Sequence, residues 1–297
     1  VIKTPLYLGA TYSGTTLIAA KPSVIDGQET YTVDGTGYAL QYTGQALCIE
    51  DLGLKFGLTE DDAAVKESDA TFHVTWANNQ KPSPNEDGYA TATLTPANDN
   101  YSGSLIVKYA IAHLTIDPQY TTVSDSLTYN GKRQEPTIIV KDKENTLTRD
   151  VDYTVYYEDS TGKKITDGGA DAAPYAPGLY NAVITPAGVY KGSASYKKSF
   201  TIYGDIEVNS DLFEVDGSPS DQEFTMTLAD GKLVSQELTD YMNSRYKLTR
   251  KKSGNIASDT ATELVEGGNG DYKVTMDLPN KPGTGIVKVT GQGFYKG

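Results

Sequence analysis

The chain has 297 residues, with 26 Lys plus Arg against 39 Asp plus Glu, and its formal net charge is −13. This charge argues against a nucleic-acid-binding protein, because affinity for phosphate backbones comes mainly from Lys and Arg. The single Cys48 allows no internal disulfide, and the spacing of His73 and His113 fits no zinc-binding pair. No apolar run is long enough for a membrane-spanning helix, so direct membrane insertion is not expected.

Strand patterns dominate the chain from beginning to end. Alternating stretches rich in Val, Ile, Thr and Tyr are bounded by Gly, Pro, Asn and Asp, which predicts half-buried antiparallel strands. Helix-like patterns occur only at residues 59–67 and 235–244. We therefore expect an all-β fold.

Three landmarks recur in the same order, with a period of about ninety residues. The first is Leu40-x-Tyr42-x-Gly44, repeated at residues 127–131 and 213–217. The second is a strand at residues 72–76, repeated at 153–157 and 246–250. The third is a strand and turn followed by Tyr-x-Gly at residues 101–103, 190–192 and 295–297. The repeats predict modules of about seven short strands, each folded as a two-sheet sandwich.

The landmarks divide the chain into a first module at residues 25–113, a second at 114–203 and a third at 204–297. The third module is expected to have an insertion near residues 251–270 and to lack its closing strand. Residues 1–24 are either a partial upstream repeat or the N-terminal strands of the first module. In the former case a spare strand could add head to tail to the exposed edge of another chain.

The landmarks resemble the bacterial immunoglobulin-like tandem repeats of cell-surface proteins, including the MBG type. The likeness is fullest in the second module, where the segments at residues 127–131, 152–156, 178–180 and 190–192 follow the order of that family. The resemblance implies tandem immunoglobulin-like β-sandwich modules in an extended array, secreted or held at the bacterial cell surface.

The expected function is therefore that of a non-enzymatic fragment of a bacterial cell-surface protein, acting as an adhesin or a structural stalk. Its partner would be a host or environmental protein or glycan. The alternative is that these are accessory modules, carbohydrate-binding or spacer, of a secreted polysaccharide-degrading enzyme. No nucleophile motif or phosphate-binding loop indicates a catalytic site.

Two features could bind a ligand. Asn98, Asp99 and Asn100 supply oxygen ligands for calcium, as does the turn at residues 83–88, although these residue types are also common in turns. Trp76, the only Trp, could stack against a sugar or a peptide, or could serve as a packing residue. No other cofactor is expected.

Overall fold

The computed structural model describes residues 4–5, 8–12, 16–19, 21–25, 28–56, 72–99, 101–216, 246–277 and 286–297. Regular structure within these ranges consists of β-strands and short 3-10 helices, so the predicted all-β class is confirmed. The 3-10 helices are Ile49–Leu52, Pro118–Tyr120, Gly169–Asp171, Gly188–Tyr190 and Ser210–Leu212. Both helix-like patterns, at residues 59–67 and 235–244, lie outside the described residues.

The chain divides into two compact units, one of residues 1–116 and 186–194, the other of residues 117–185 and 195–297. The strands of the first unit are β1 (Thr4–Pro5), β2 (Leu8–Tyr12), β3 (Thr16–Ala19), β4 (Lys21–Ile25), β5 (Gln28–Gln41), β6 (Leu54–Phe56), β7 (Phe72–Ala77), β8 (Ala90–Pro96), β9 (Tyr101–Ser102) and β10 (Ser104–Ala112).

The main sheet of the first unit has the strand order β4-β5-β10-β8-β7. Strand β5 runs parallel to β10, with Leu40 opposite Ile111, and the other pairs are antiparallel. Two smaller sheets have the orders β3-β2-β6 and β1-β9. The alternate apolar side chains enter one core, formed by Val33, Leu47, Ile49, Leu52, Leu54, Phe72, Ala90, Ala92, Leu94, Leu105, Val107, Tyr109 and Ile111.

The second unit begins with seven strands that belong to the second module. They are β11 (Thr121–Val123), β12 (Ser126–Thr128), β13 (Ile138–Asp142), β14 (Asn145–Thr146), β15 (Tyr153–Asp159), β16 (Gly178–Pro186) and β17 (Tyr196–Asp205). They form one sheet of order β12-β17-β16-β15 and another of order β11-β13-β14. The buried residues of this sandwich include Tyr129, Val140, Leu147, Tyr153, Tyr157, Ala182, Ile184, Phe200 and Ile202.

The principal sheets of the first two modules have the same topology. In each, the strand that carries the first landmark is the parallel neighbour of the last strand of the module, and the next two strands follow outward in reverse chain order. Strand β4 extends the first of these sheets beside β5. Leu127 lies opposite Ile202 in the second module, as Leu40 lies opposite Ile111 in the first. The first landmark is therefore the strand that pairs with the end of its own module.

The third module contributes β18 (Phe213–Asp216), β19 (Lys247–Arg250), β20 (Thr262–Glu263), β21 (Tyr272–Asp277), β22 (Ile286–Gly291) and β23 (Tyr295–Lys296). These strands form the sheets β18-β19-β20 and β21-β22, and β23 pairs in parallel with β17. Strand β17 thus crosses the predicted boundary between residues 203 and 204. Within the predicted insertion at residues 251–270, Ser253 and Asp259 are buried.

The Tyr-x-Gly landmark pairs with the segment just before its module or with the first residues of the module. Thr4 pairs with Tyr101, Gly204 pairs with Tyr295, and the Leu114 amide donates to the Val189 carbonyl at 2.8 Å. The described strands of residues 4–25 also pair with β5, β6 and β9, so they share the sheets of the first module. The glycine permits this close approach, because a Cβ at Gly192 would lie 2.8 Å from the Leu114 oxygen.

Candidate ligand-binding cleft

A cleft of about 630 Å³ opens at the end of β7, beside Trp76. Along β7 the residues Phe72, Val74 and Trp76 face inward, while His73 and Thr75 are exposed. Trp76 is half-buried and packs against the core, so its remaining surface is available to the cleft. The cleft is lined by Ala46, Leu47, Cys48, Trp76, Asn78, Asn79, Gln80, Lys81, Asn85 and Asp87.

Asn79 fixes the floor of this cleft. Its side chain is buried, its Nδ2 donates to the Leu47 carbonyl at 2.7 Å, and its Oδ1 accepts from the Tyr109 hydroxyl at 2.5 Å. These bonds connect the end of β7, the segment before the first 3-10 helix and the central strand β10. A buried amide with both ends bonded is costly to displace, so the cleft wall has one defined arrangement.

The loop between β7 and β8 forms the polar wall and is held by its own bonds. Asn78 has a left-handed backbone (φ 54°), and its Nδ2 donates to the Asp87 carbonyl at 2.8 Å. The Asn85 Oδ1 accepts from the Asp87 amide at 2.9 Å. Ser83 is buried and exchanges backbone hydrogen bonds with Ile111 at 2.9 and 3.1 Å. The loop is therefore attached to the core strand β10.

Several polar groups on this wall line the cleft and are not used in hydrogen bonds within the described part of the protein. Asn78 uses its Nδ2 in the loop, and its Oδ1 has no hydrogen-bond partner among the described residues. Gln80, Lys81 and Asp87 are exposed, and within the described ranges their side chains make no hydrogen bond or ion pair. The cleft thus combines an aromatic surface, hydrogen-bond donors and acceptors, and one charge of each sign.

Cys48 contributes a thiol to the cleft wall. Its Sγ donates to Asp51 Oδ2 at 3.2 Å. Burial and this hydrogen bond raise the pKa of the thiol above its ordinary value. Because the thiolate is the reactive form, the neutral thiol at pH 7 is a poor nucleophile.

The structure brings Trp76 and the turn at residues 83–88 together, because Asn85 and Asp87 of that turn line the same cleft. Trp76 lines the cleft. Asn98 and Asp99 are exposed in the turn after β8, and Asn100 lies outside the described residues. Across the described ranges, no three His, Cys, Asp or Glu side chains are grouped as a metal site. Calcium binding at residues 98–100 stays a prediction.

Sequence reasoning missed most of the cleft wall. Residues 78–81 directly follow the strand that carries Trp76, and they read Asn-Asn-Gln-Lys. A run of amides next to the only Trp was the available signal. The return of residues 85–87 to the same wall depends on the loop geometry, which spacing alone does not reveal.

A second polar cluster lies inside the second compact unit, where the second and third modules meet. The Arg250 guanidinium makes two 2.8 Å hydrogen bonds to Asp259, and it also donates to the Tyr129 hydroxyl at 3.2 Å. Ser253 donates through its Oγ to the Gly131 carbonyl. Tyr129 and Gly131 belong to the landmark of the second module, so this landmark anchors the third module. The cluster is buried and fully occupied by internal bonds, which makes it structural.

No protein-family model matches the chain, and no curated protein matches it. Among solved structures, the chain is similar to a three-domain immunoglobulin fragment of titin, in a Glu-to-Ala variant, with 9% identity and a TM-score of 0.23. The match covers 86% of this chain and 96% of the titin fragment. Among the described residues, no helix is both long and apolar enough to cross a membrane.

Proposed function

We propose that this chain is a non-enzymatic, load-bearing part of a bacterial cell-surface protein, built of immunoglobulin-like modules of the MBG type. Its role is to hold or display a binding function outside the cell, as a stalk or an adhesin. The sequence landmarks support the family, and the acidic composition suits a solvated surface protein.

The observation that carries this proposal is the parallel pairing of β12, the landmark strand of the second module, with β17, its last strand. Strand β12 follows the short strand β11, and it is the parallel neighbour of β17, through which the chain leaves the module. A pull on the two ends slides these strands past each other, so the hydrogen bonds between them share the load. The first module has the same parallel pair in β5 and β10.

The attachment of the third module to the second supports the same role. Gly204 and Asp205 pair with Tyr295 and Lys296 directly beyond the region where β17 pairs with β12. The rings of Phe213 and Tyr295 pack edge to face with centroids 6.0 Å apart. A force transmitted along β17 therefore acts on its packed contact with the third module instead of on a free linker.

The test is single-molecule pulling in two directions on the full chain, with Cys48→Ser to leave only engineered thiols. Handles at Asp125→Cys and Val208→Cys load β12 and β17 in shear, because they lie at opposite ends of the pair. Handles at Asp125→Cys and Ser199→Cys lie at the same end and unzip it. All three positions are exposed.

We expect a clearly higher unfolding force in the shear direction at the same loading rate. Forced unfolding reports the unfolding barrier, so the difference isolates the contribution of this strand pair. Equal, low forces in both directions would contradict a load-bearing role.

The second candidate function is an accessory module of a secreted polysaccharide-degrading enzyme. The observation that favours it is the Trp76 cleft, because one aromatic surface with several amides suits a sugar. Both candidates require the chain to be secreted, and they differ in what the remainder of the parent protein does. If fusing the chain to a catalytic domain raises the activity of that domain on insoluble polysaccharide, the result supports the second candidate.

A further inference from the structure

We infer that the cleft beside Trp76 is a binding site for a short neutral oligosaccharide. The inference goes beyond the load-bearing role, and it deepens the second candidate function by naming the class of ligand that the cleft would bind. It rests on the contents, the rigidity and the charge of the cleft.

The contents of the cleft match the two faces of a sugar ring. A pyranose presents C–H groups on one face, which pack against an aromatic surface, and hydroxyl groups around its edge. The partly open Trp76 ring supplies the aromatic surface. Asn78 Oδ1, the Gln80 amide and the Asp87 carboxylate supply acceptors, while Gln80 and Lys81 supply donors. Hydroxyl groups both donate and accept, so they can satisfy this mixed set.

The rigidity of the cleft favours binding without a large ordering cost. Asn79 is locked between Leu47 and Tyr109, and the loop is attached to β10 through Ser83. A wall that is already ordered loses little conformational entropy when a ligand binds. The volume of about 630 Å³ also falls within the range of about 300–1,000 Å³ that is usual for small-ligand sites.

The charge of the cleft selects a neutral ligand over an anionic one. Lys81 and Asp87 contribute one charge of each sign to the lining, and the protein as a whole carries a net charge of −13. An acidic glycan would meet the Asp87 carboxylate at close range and the negative field of the chain at long range.

The experiment is a fluorescence titration of the full chain with cellopentaose, xylopentaose, mannopentaose, chitopentaose and maltopentaose. Because Trp76 is the only Trp, its emission reports on this cleft alone. We expect at least one of these sugars to cause a saturable change. Glucuronic-acid oligomers of the same length serve as the anionic comparison, and we expect them to bind more weakly.

A matched pair of variants in the same turn assigns the binding to the cleft. Asp87→Ala removes a side chain from the cleft lining, whereas Glu86→Ala removes an exposed neighbour that is not part of the lining. We expect Asp87→Ala to weaken binding roughly tenfold, the effect of losing one good hydrogen bond to a ligand. Glu86→Ala should bind as the unchanged chain does, and both variants should keep the same unfolding midpoint.

The inference is overturned if none of the neutral sugars changes the emission at millimolar concentration, or if Asp87→Ala and Glu86→Ala bind equally well. It is also overturned if an unstructured peptide mixture causes the larger saturable change. These outcomes leave the pulling experiment unaffected, so failure of the glycan site and failure of the load-bearing role are distinguishable.

Discussion

Arg250 and Asp259 form a bidentate ion pair, with both nitrogen-to-oxygen distances at 2.8 Å. The residues are only 4% and 2% exposed, and the guanidinium also contacts the Tyr129 hydroxyl of the neighbouring module. A charge buried to this extent is tolerated only when it is paired and hydrogen-bonded. The pair therefore links the fold of the third module to its contact with the second.

Removing Arg250 alone should be strongly destabilising. Arg250→Met leaves the Asp259 carboxylate buried without its partner, and the expected loss is about 3–5 kcal/mol of unfolding free energy. Arg149→Met is the control, because its 2.7 Å pair with Glu135 is 39% and 42% exposed and should contribute about 0–1 kcal/mol. Urea unfolding of both variants at pH 7 measures the difference. Equal losses of unfolding free energy would show that the Arg250–Asp259 pair is not buried in solution.

The same pair predicts an acid-sensitive junction. Burial raises the pKa of Asp259, but the hydrogen bonds from Arg250 and the Ser253 amide outweigh it, so the pKa is lowered overall. A carboxyl group with a lowered pKa in the folded state stabilises the protein above the ordinary Asp pKa of about 3.9, and this contribution is lost as the pH falls through the folded-state pKa.

We therefore expect the unfolding free energy to decrease as the pH falls below about 4. Asp259→Asn should reduce this acid dependence as well as the stability at pH 7. Asp159 and the exposed Asp167 also have lowered pKa values, through hydrogen bonds from Thr161 and Ser258 respectively, and should preserve part of the dependence of stability on pH. Asp211→Asn is the control, since this exposed side chain lies outside the cluster. If the unfolding free energy of Asp259→Asn depends on pH as it does in the unchanged chain, this role of Asp259 is contradicted.

Gly204 should not tolerate a side chain, because two aromatic rings occupy the space. A Cβ at this position would lie 2.7 Å from Tyr295 and 3.1 Å from Phe213. We expect Gly204→Ala to cost about 1–3 kcal/mol, the usual cost of overpacking a filled core. Gly254→Ala is the matched control, since no atom lies within 4 Å of its added Cβ. Thermal unfolding should separate the variants, and equal midpoints would mean that the rings move freely.

Two buried tyrosine hydroxyl groups should respond differently to removal. Tyr109 donates to Asn79 at 2.5 Å, so Tyr109→Phe leaves a buried acceptor unsatisfied and should cost about 1–3 kcal/mol. The Tyr157 hydroxyl is buried and makes no hydrogen bond of good geometry to a described residue, although Glu135 and Arg149 lie close to it, so Tyr157→Phe should cost less than Tyr109→Phe. Urea unfolding compares the two, and a larger loss in Tyr157→Phe would contradict the geometry. Tyr109→Phe should also weaken sugar binding, because Asn79 forms the cleft floor.

The strands and the repeat were predictable because they depend on local patterns. Period-two alternation and turn residues indicated β8, β16 and β22 close to their observed bounds. The Tyr-x-Gly landmark was visible as a repeat, but its role was not. Its parallel pairing with the segment before or at the start of the module joins residues about ninety or more positions apart, and no local pattern encodes that contact.

The second landmark shows where sequence information ends. The sequence alone determined that Trp76, Tyr157 and Arg250 occupy equivalent positions on a strand, because each follows the same alternating pattern. Only the tertiary structure decided what each position does. Trp76 borders an open cleft, Tyr157 is 1% exposed, and Arg250 is buried against Asp259. The physical reason is that the strand pattern fixes which face a side chain occupies, whereas burial, charge compensation and ligand access depend on loops and modules distant in the chain.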